Sequence, residues 1–93
     1  MLVGLLVLDL HIPESNSLKA KRLVIKSLKD RIKNKFNTSV AEVDAQNLWQ
    51  RSVIGISMVA NETRIIQQVF EKIRCLVLDT HSVELIDAKV EIL

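Results

Sequence analysis

Ninety-three residues make one domain, with enough chain for a single core that needs neither disulfides nor metal staples. The composition is 48% apolar and 26% charged, ordinary for a soluble globular protein, and its three aromatic residues leave few ring faces for stacking bases or sugars. The net charge of +2 hides an asymmetry: Ser17–Phe36 holds eight of the thirteen Lys and Arg residues and one of the eleven acids, a formal +7, leaving −5 on the rest.

Met1–His11 is nearly continuously apolar, as expected of a strand buried on both faces in the middle of a sheet. It lacks a basic leading region and a small-residue cleavage site and runs into Asp9 and His11, so it reads as a strand and not as a signal peptide. With no targeting segment and no membrane span, the expected compartment is the cytoplasm. Ile12–Asn16 is a loop, and Ser15 or Ser17 is placed to cap the helix that follows. In that helix Leu18, Val24, Ile25, Leu28, Ile32 and Phe36 cover a sector of about 120°, enough to pack on a sheet, while Leu23 falls outside it.

Thr38–Asp44 alternates and reads as a strand nearer the sheet edge. Ala45–Gln50 is a polar connection carrying the only tryptophan, and Arg51–Ala60 is a second strongly apolar strand, where Gly55 marks either a bulge or a close approach. Asn61 is the expected cap of a second helix, whose apolar residues run from Ile66 to Val77 at helical spacing. Val83–Leu93 alternates to the end, with Ile86, Ala88, Val90 and Ile92 on one side. The order β-α-β-β-α-β over residues 1–93 predicts a single α+β, ferredoxin-like domain. Its four-stranded antiparallel sheet has order 4-1-3-2, with both helices on one face.

That topology leaves the other sheet face bare, and the two central strands are apolar on both faces. A large exposed aliphatic patch implies a cover, most simply a second copy of the chain, giving a homodimer; the competing reading is a shield formed by the Ala45–Gln50 loop and Trp49. Neither central strand carries an aromatic residue, so base stacking on the sheet, the mode of RNA-recognition modules with this topology, is not expected.

The remaining candidate surface is on the first helix. Lys19, Arg22, Lys26, Lys29 and Lys33 fall within a sector of about 80° and rise about 21 Å, the reach of roughly three phosphates with slack. Like charges at this spacing repel, so intrahelical salt bridges do not explain the pattern. An extended basic stripe that needs no stacking partner points to RNA, with Arg51 a further contact near the Trp49 loop. Lys21 is different, since it lies in the apolar sector. Either its stem reaches past the sheet end, or it points at an anion held near the helix start with Ser15 and Ser17.

No catalytic arrangement of Ser, His, Asp or Cys is readable, and no metal or cofactor is expected. Asp9 and His11 read as a hydrogen-bonded pair, Glu42 and Asp44 as solvated residues on one strand face, and Cys75 as a surface thiol. The chain is therefore read as a non-enzymatic RNA- or ribosome-associated protein. The alternatives are a self-associating protein-interaction module and a small anion-binding sensor or enzyme.

The His11 and Pro13 loop, the Ser17-Leu18-Lys19 opening, Lys21-Arg22, Phe36-Asn37, Ser39–Val43 as SVAEV and the Trp49–Gly55 run together resemble the small bacterial YlxP-like family, a domain of unknown function. The likeness extends over essentially the whole chain, with Ala20 a departure where many relatives have a polar or acidic residue. The resemblance implies the same ferredoxin-like fold. It also implies a link to translation and ribosome maturation, because such genes commonly neighbour those for a translation initiation factor and ribosome-binding factor A. It supplies no catalytic residues.

Overall fold

A computed structural model describes residues 1–93. The elements are β1 (Leu2–His11), α1 (Leu18–Lys35), β2 (Ser39–Asp44), β3 (Arg51–Ala60), α2 (Thr63–Leu78) and β4 (Glu84–Ile92). The strands form one antiparallel sheet in the order β2-β3-β1-β4, so the two most apolar strands are the central pair. This is the expected arrangement, read from the opposite edge.

Strand alternation decides what each face holds. Leu6, Leu8 and Leu10 of β1 and Ile54 and Ile56 of β3 point toward the helices and are fully or nearly fully buried. Against them pack Ile25, Leu28 and Ile32 of α1 and Ile66, Phe70, Ile73 and Val77 of α2, giving a core of sixteen buried apolar residues. Gly4 belongs to this inner row because a Cβ there would collide with Ile66 and lie 3.1 Å from the Phe70 ring.

Gly55 meets a different constraint on the open face: a Cβ there would sit 2.9 Å from Cγ1 of Val43. The β1–β3 ladder runs through Gly55 without interruption, and the bulge lies in β2, where Glu42 pairs with Ile54 and Asp44 with Val53. Gly55 is thus a close approach, and the irregularity belongs to its neighbour.

Helix α1 begins as expected. The Ala20 amide donates to Ser17 Oγ at 3.0 Å, so Ser17 is the N-cap. Leu23 is 63% exposed, off the packed face. Two boundary expectations are corrected. Helix α2 is preceded by Glu62, not Asn61, in the cap position, and no side chain caps it. Glu62 instead pairs with Arg64 at 3.1 Å. In β4 a register shift opposite Asp9 and Leu10 throws Ile86 outward, 61% exposed, and Leu85 takes its place on the inner side with Ala88 and Ile92. One extra residue in a strand reverses the alternation beyond it.

Candidate nucleic-acid interface

The buried row of α1 is Lys21, Ile25, Leu28 and Ile32. On one flank of that row Ala20 and Val24 line a small hollow with His81 and Ser82, just after α2, and Arg31 Nη1 donates to Thr80 Oγ1 at 3.0 Å. On the other flank, by the helical advance of about 100° per residue, stand Lys19, Arg22, Lys26, Lys29 and Lys33. The structure thus brings all five onto the side of α1 turned away from α2. Because α1 lies over β2, that side looks out along a free edge of the sheet.

Lys19, Arg22, Lys26 and Lys33 are exposed and Lys29 is half-buried. The only acidic partner along the stripe is Asp30 on the same helix, 2.8 Å from Lys26. That hydrogen bond holds the Asp30 carboxyl below its ordinary range and raises the Lys26 ammonium, with both side chains exposed. No carboxylate from the acidic remainder of the chain forms a salt bridge with the stripe. Helix α1 also has two basic residues, Lys33 and Lys35, in its last turn, where the helix dipole favours cations.

Arg51 does not join this surface. It projects from the open face of the sheet, where its Nε and Nη2 donate to the two carboxylate oxygens of Asp9, each at 3.1 Å. The Asp9 carboxylate raises the guanidinium above its already high range, so the charge is matched within the fold. The expected Asp9–His11 pair is accordingly absent, and His11 Nδ1 lies 3.2 Å from Glu84 Oε2. Cross-strand neighbours are closer than residues two apart on one strand, and His11 is in register with both Arg51 and Glu84.

The anion site envisaged at the helix start is corrected as well. Lys21 is fully buried, and its Nζ donates to the carbonyl oxygens of Ala45 (2.7 Å), Gln46 (3.1 Å) and Arg51 (3.2 Å). It also lies 3.1 Å from Glu42 Oε2, which accepts from Ser52 Oγ at 2.5 Å. An ammonium has three protons, and the protein uses them all. Ser15 Oγ donates to the Ser17 carbonyl at 3.2 Å and Ser17 Oγ caps the helix, so these side chains hold the chain and not a ligand. Glu42 consequently does not share a solvated face with Asp44. It points inward and the β2 bulge separates the two.

The side chain that sequence reasoning misjudged is Lys21, which anchors the β2–β3 connection. Ala45 there has φ 60°, its amide donates to Asp44 Oδ1 at 2.8 Å, and its carbonyl is one of the three held by Lys21. From the other side Gln50 Nε2 donates to the carbonyls of Pro13 and Ser15. The connection presents Leu48 and Trp49, 49% and 55% exposed, beside His11 and Arg51 at one end of the open face. It leaves Val7, Val43 and Val59 uncovered at 40–59% exposure, so it does not shield the sheet. The available signal was an inward-facing acid, Glu42, opposite a lysine in an apolar sector.

Cys75 is an exposed free thiol, as expected. No group of three metal-ligating side chains exists, and no helix is long and apolar enough to cross a membrane.

The topology, with both helices on one face of a 2-3-1-4 antiparallel sheet, defines the chain as a ferredoxin-like α+β domain. Solved structures of that fold superpose on it. The de novo designed protein Foldit4 does so with TM-score 0.55 and 16% identity over 100% of this chain and 97% of its own. The designed Ferredog-Diesel gives 0.53 and 9% over 96% and 83%. At such identities the likeness concerns the fold alone.

Residues 3–90 match the family described as Protein of unknown function (DUF503), and the chain belongs to that family. A relative is the uncharacterized protein YlxP of Bacillus subtilis (strain 168), 38% identical over 60 residues. That match spans 64% of this chain and 65% of YlxP, just under two thirds of the relative's length.

Proposed function

We propose that the protein is a non-enzymatic RNA- or ribosome-associated binding protein that holds phosphates on the outer flank of α1. The observation that carries the reading is the unmasked stripe. Five bases line the flank away from α2, four of them free of acidic partners and the fifth paired only within its own helix. A solvated helix face of ordinary composition would mix signs, and the acids of this chain are placed elsewhere. The aromatic-free open face favours backbone contact over base reading, so binding is weakly sequence-selective and strongly salt-dependent. The family resemblance to genes found beside translation and ribosome-maturation factors supports the ribosome as the setting, in the cytoplasm. We also infer that the chain works as a pair, joined through the open sheet face.

Replacing Lys19, Lys26 and Lys33 together by Glu tests the reading. Retention of the folded protein by mixed-sequence RNA and by purified ribosomal subunits is expected to fall by at least about 10²-fold near physiological salt. The wild-type affinity should fall with salt, with a log–log slope of about −2 for the roughly three phosphates the stripe spans on a single strand. Unchanged retention in the triple variant, or retention that survives nuclease treatment, overturns it; the latter outcome identifies an acidic protein as the ligand of the stripe.

A further inference from the structure

We infer that two copies of the chain stack through their open sheet faces about a two-fold axis running across the strands, and that this pairing sets both basic stripes on one flank as a bipartite site for helical RNA. The pairing follows from the charge layout of the face. The phosphate-binding role of the stripes rests on the function proposed above.

Four strands at about 4.8 Å spacing, the longest of ten residues at about 3.3 Å each, make a face of roughly 600 Å² in projection. Accessible area exceeds projection, which brings the face toward the roughly 800 Å² per partner of a specific protein interface. Its centre is apolar: Val3, Leu5 and Val7 of β1 alternate out of the core, with Val53 and Val59 beside them on β3. Gly55 leaves a shallow hollow of about 310 Å³ bordered by Leu5, Val7, Ala41 and Val43. The charged residues occupy one edge column and one end. Glu84, Asp87, Lys89 and Glu91 run down β4, and the Asp9–Arg51 pair closes the end nearest Trp49.

Two kinds of two-fold axis stack such faces. An axis parallel to the strands lays β4 over the partner's β2, setting Lys89 and Glu91 against neutral residues and Asp87 against a like charge, because Ala41, Ser39 and Asp44 share their rows. Charges desolvated without partners oppose that arrangement. An axis across the strands lays β4 over the partner's β4 in the reverse direction. Placed at the centre of the apolar patch, between the Leu5–Glu91 and Val7–Lys89 rows, it sets Lys89 against Glu91 of the partner subunit. The same contact recurs on the other side of the axis. It also puts Val7 over Leu5 of the partner subunit and leaves the polar ends at the rim. Of the two arrangements, this one sets opposite charges against each other at the centre of the face, while the Asp9–Asp87 row falls over the Val3–Leu93 row.

The same operation keeps β2 on the β2 side. Both stripes therefore look out along one flank of the pair, separated by three layer spacings of about 10 Å each, or roughly 30 Å. A short single strand reaches one stripe. Helical RNA of about 16 base pairs, the span that shape-reading double-strand modules cover, reaches both. Linked engagement of two sites raises affinity by about 10²-fold or more with no new kind of contact.

The test begins with sedimentation equilibrium at micromolar concentration, where the chain is expected at twice its 10.6 kDa mass. Val7→Glu, at an already exposed position, should give a folded monomer. Lys89→Glu should weaken pairing at least about tenfold, and adding Glu91→Lys should restore it, because the exchanged charges meet again only about this axis. A monomeric wild type overturns the pairing, and a double variant no better than Lys89→Glu overturns the axis. Affinity for a 16-base-pair RNA duplex should drop about 10²-fold in the folded Val7→Glu monomer, while that for a six-nucleotide strand stays constant. Equal loss on both RNAs, or no loss on either, overturns the bipartite site. A dimer that binds no RNA at all leaves the pairing standing and removes the function on which the second half depends.

Discussion

Lys21 and Lys33 belong to one helix and carry the same ammonium group, yet they lie in opposite regimes. Lys21 sits in the packed row of α1, wholly withdrawn from water, with three carbonyls and Glu42 around its nitrogen. Lys33 stands on the outer flank with no acidic partner. A buried charge is held because its partners replace water, and removing it strands them. An exposed charge costs the fold little and stays available. Besides Arg31 and Lys35, which lie toward α2, the bases of this segment are therefore two populations: one lysine spent inside the protein and an outer stripe of five left for something else.

The contrast is broken most severely by Lys21→Met. Glu42 would lose its cation and three carbonyls of the β2–β3 connection their donor, so unfolding free energy in urea should drop by about 3 kcal/mol or more. Lys33→Met, the matched control, should stay within about 0.5 kcal/mol of wild type. Similar losses at the two sites would show that burial does not separate them. Ser17→Ala removes the cap on which both populations depend, and about 1 kcal/mol of stability should go with it. Amide exchange should report the loss as fraying confined to the first turn of α1.

The smallest effect concerns Asp30. Its carboxyl is depressed below 3.8 when folded, so the stability it adds is fully present above about pH 4 and disappears as pH falls through the folded value. Asp30→Asn should flatten that acid limb slightly in denaturation curves taken between pH 2 and 5. The same variant leaves Lys26 unpaired, so its RNA affinity should equal or exceed that of the wild type.

The fold was legible because each local signal agreed with the next. Apolar runs on both faces singled out β1 and β3 as the central strands, Ser17 was placed to cap α1, and the 3.6-residue rhythm set the floor of each helix. The stripe was legible for the same reason, being a property of one helix. What escaped was tertiary. Lys21 lay on the right face for burial, but its partners come from residues 21 to 30 positions away, beyond any helical period. Arg51 was grouped with the stripe by charge, although strand alternation sends it to the other side of the sheet. Ile86 was assigned by parity, which holds only until a bulge intervenes. The cap of α2 was given to Asn61 on residue preference, and the helix starts one residue later than that choice requires.

The place of β1 in the sheet has a consequence for how the protein is made. Strand β1, made before the other three strands of this sheet, is bonded on one side to β3 and on the other to β4, made after them. All residues between β1 and the end of β4 must leave the ribosome before the sheet closes, and at 5–20 residues per second the delay is roughly 4–16 s. Until β3 emerges one of the most apolar segments of the protein has no strand to pair with, and until β4 follows it has only half of its pairing. Pairings this distant in sequence also slow the search for the native state. A ribosome stalled before Glu84 would accordingly hold a β1 strand with an open edge, the form of this chain most prone to capture by a chaperone.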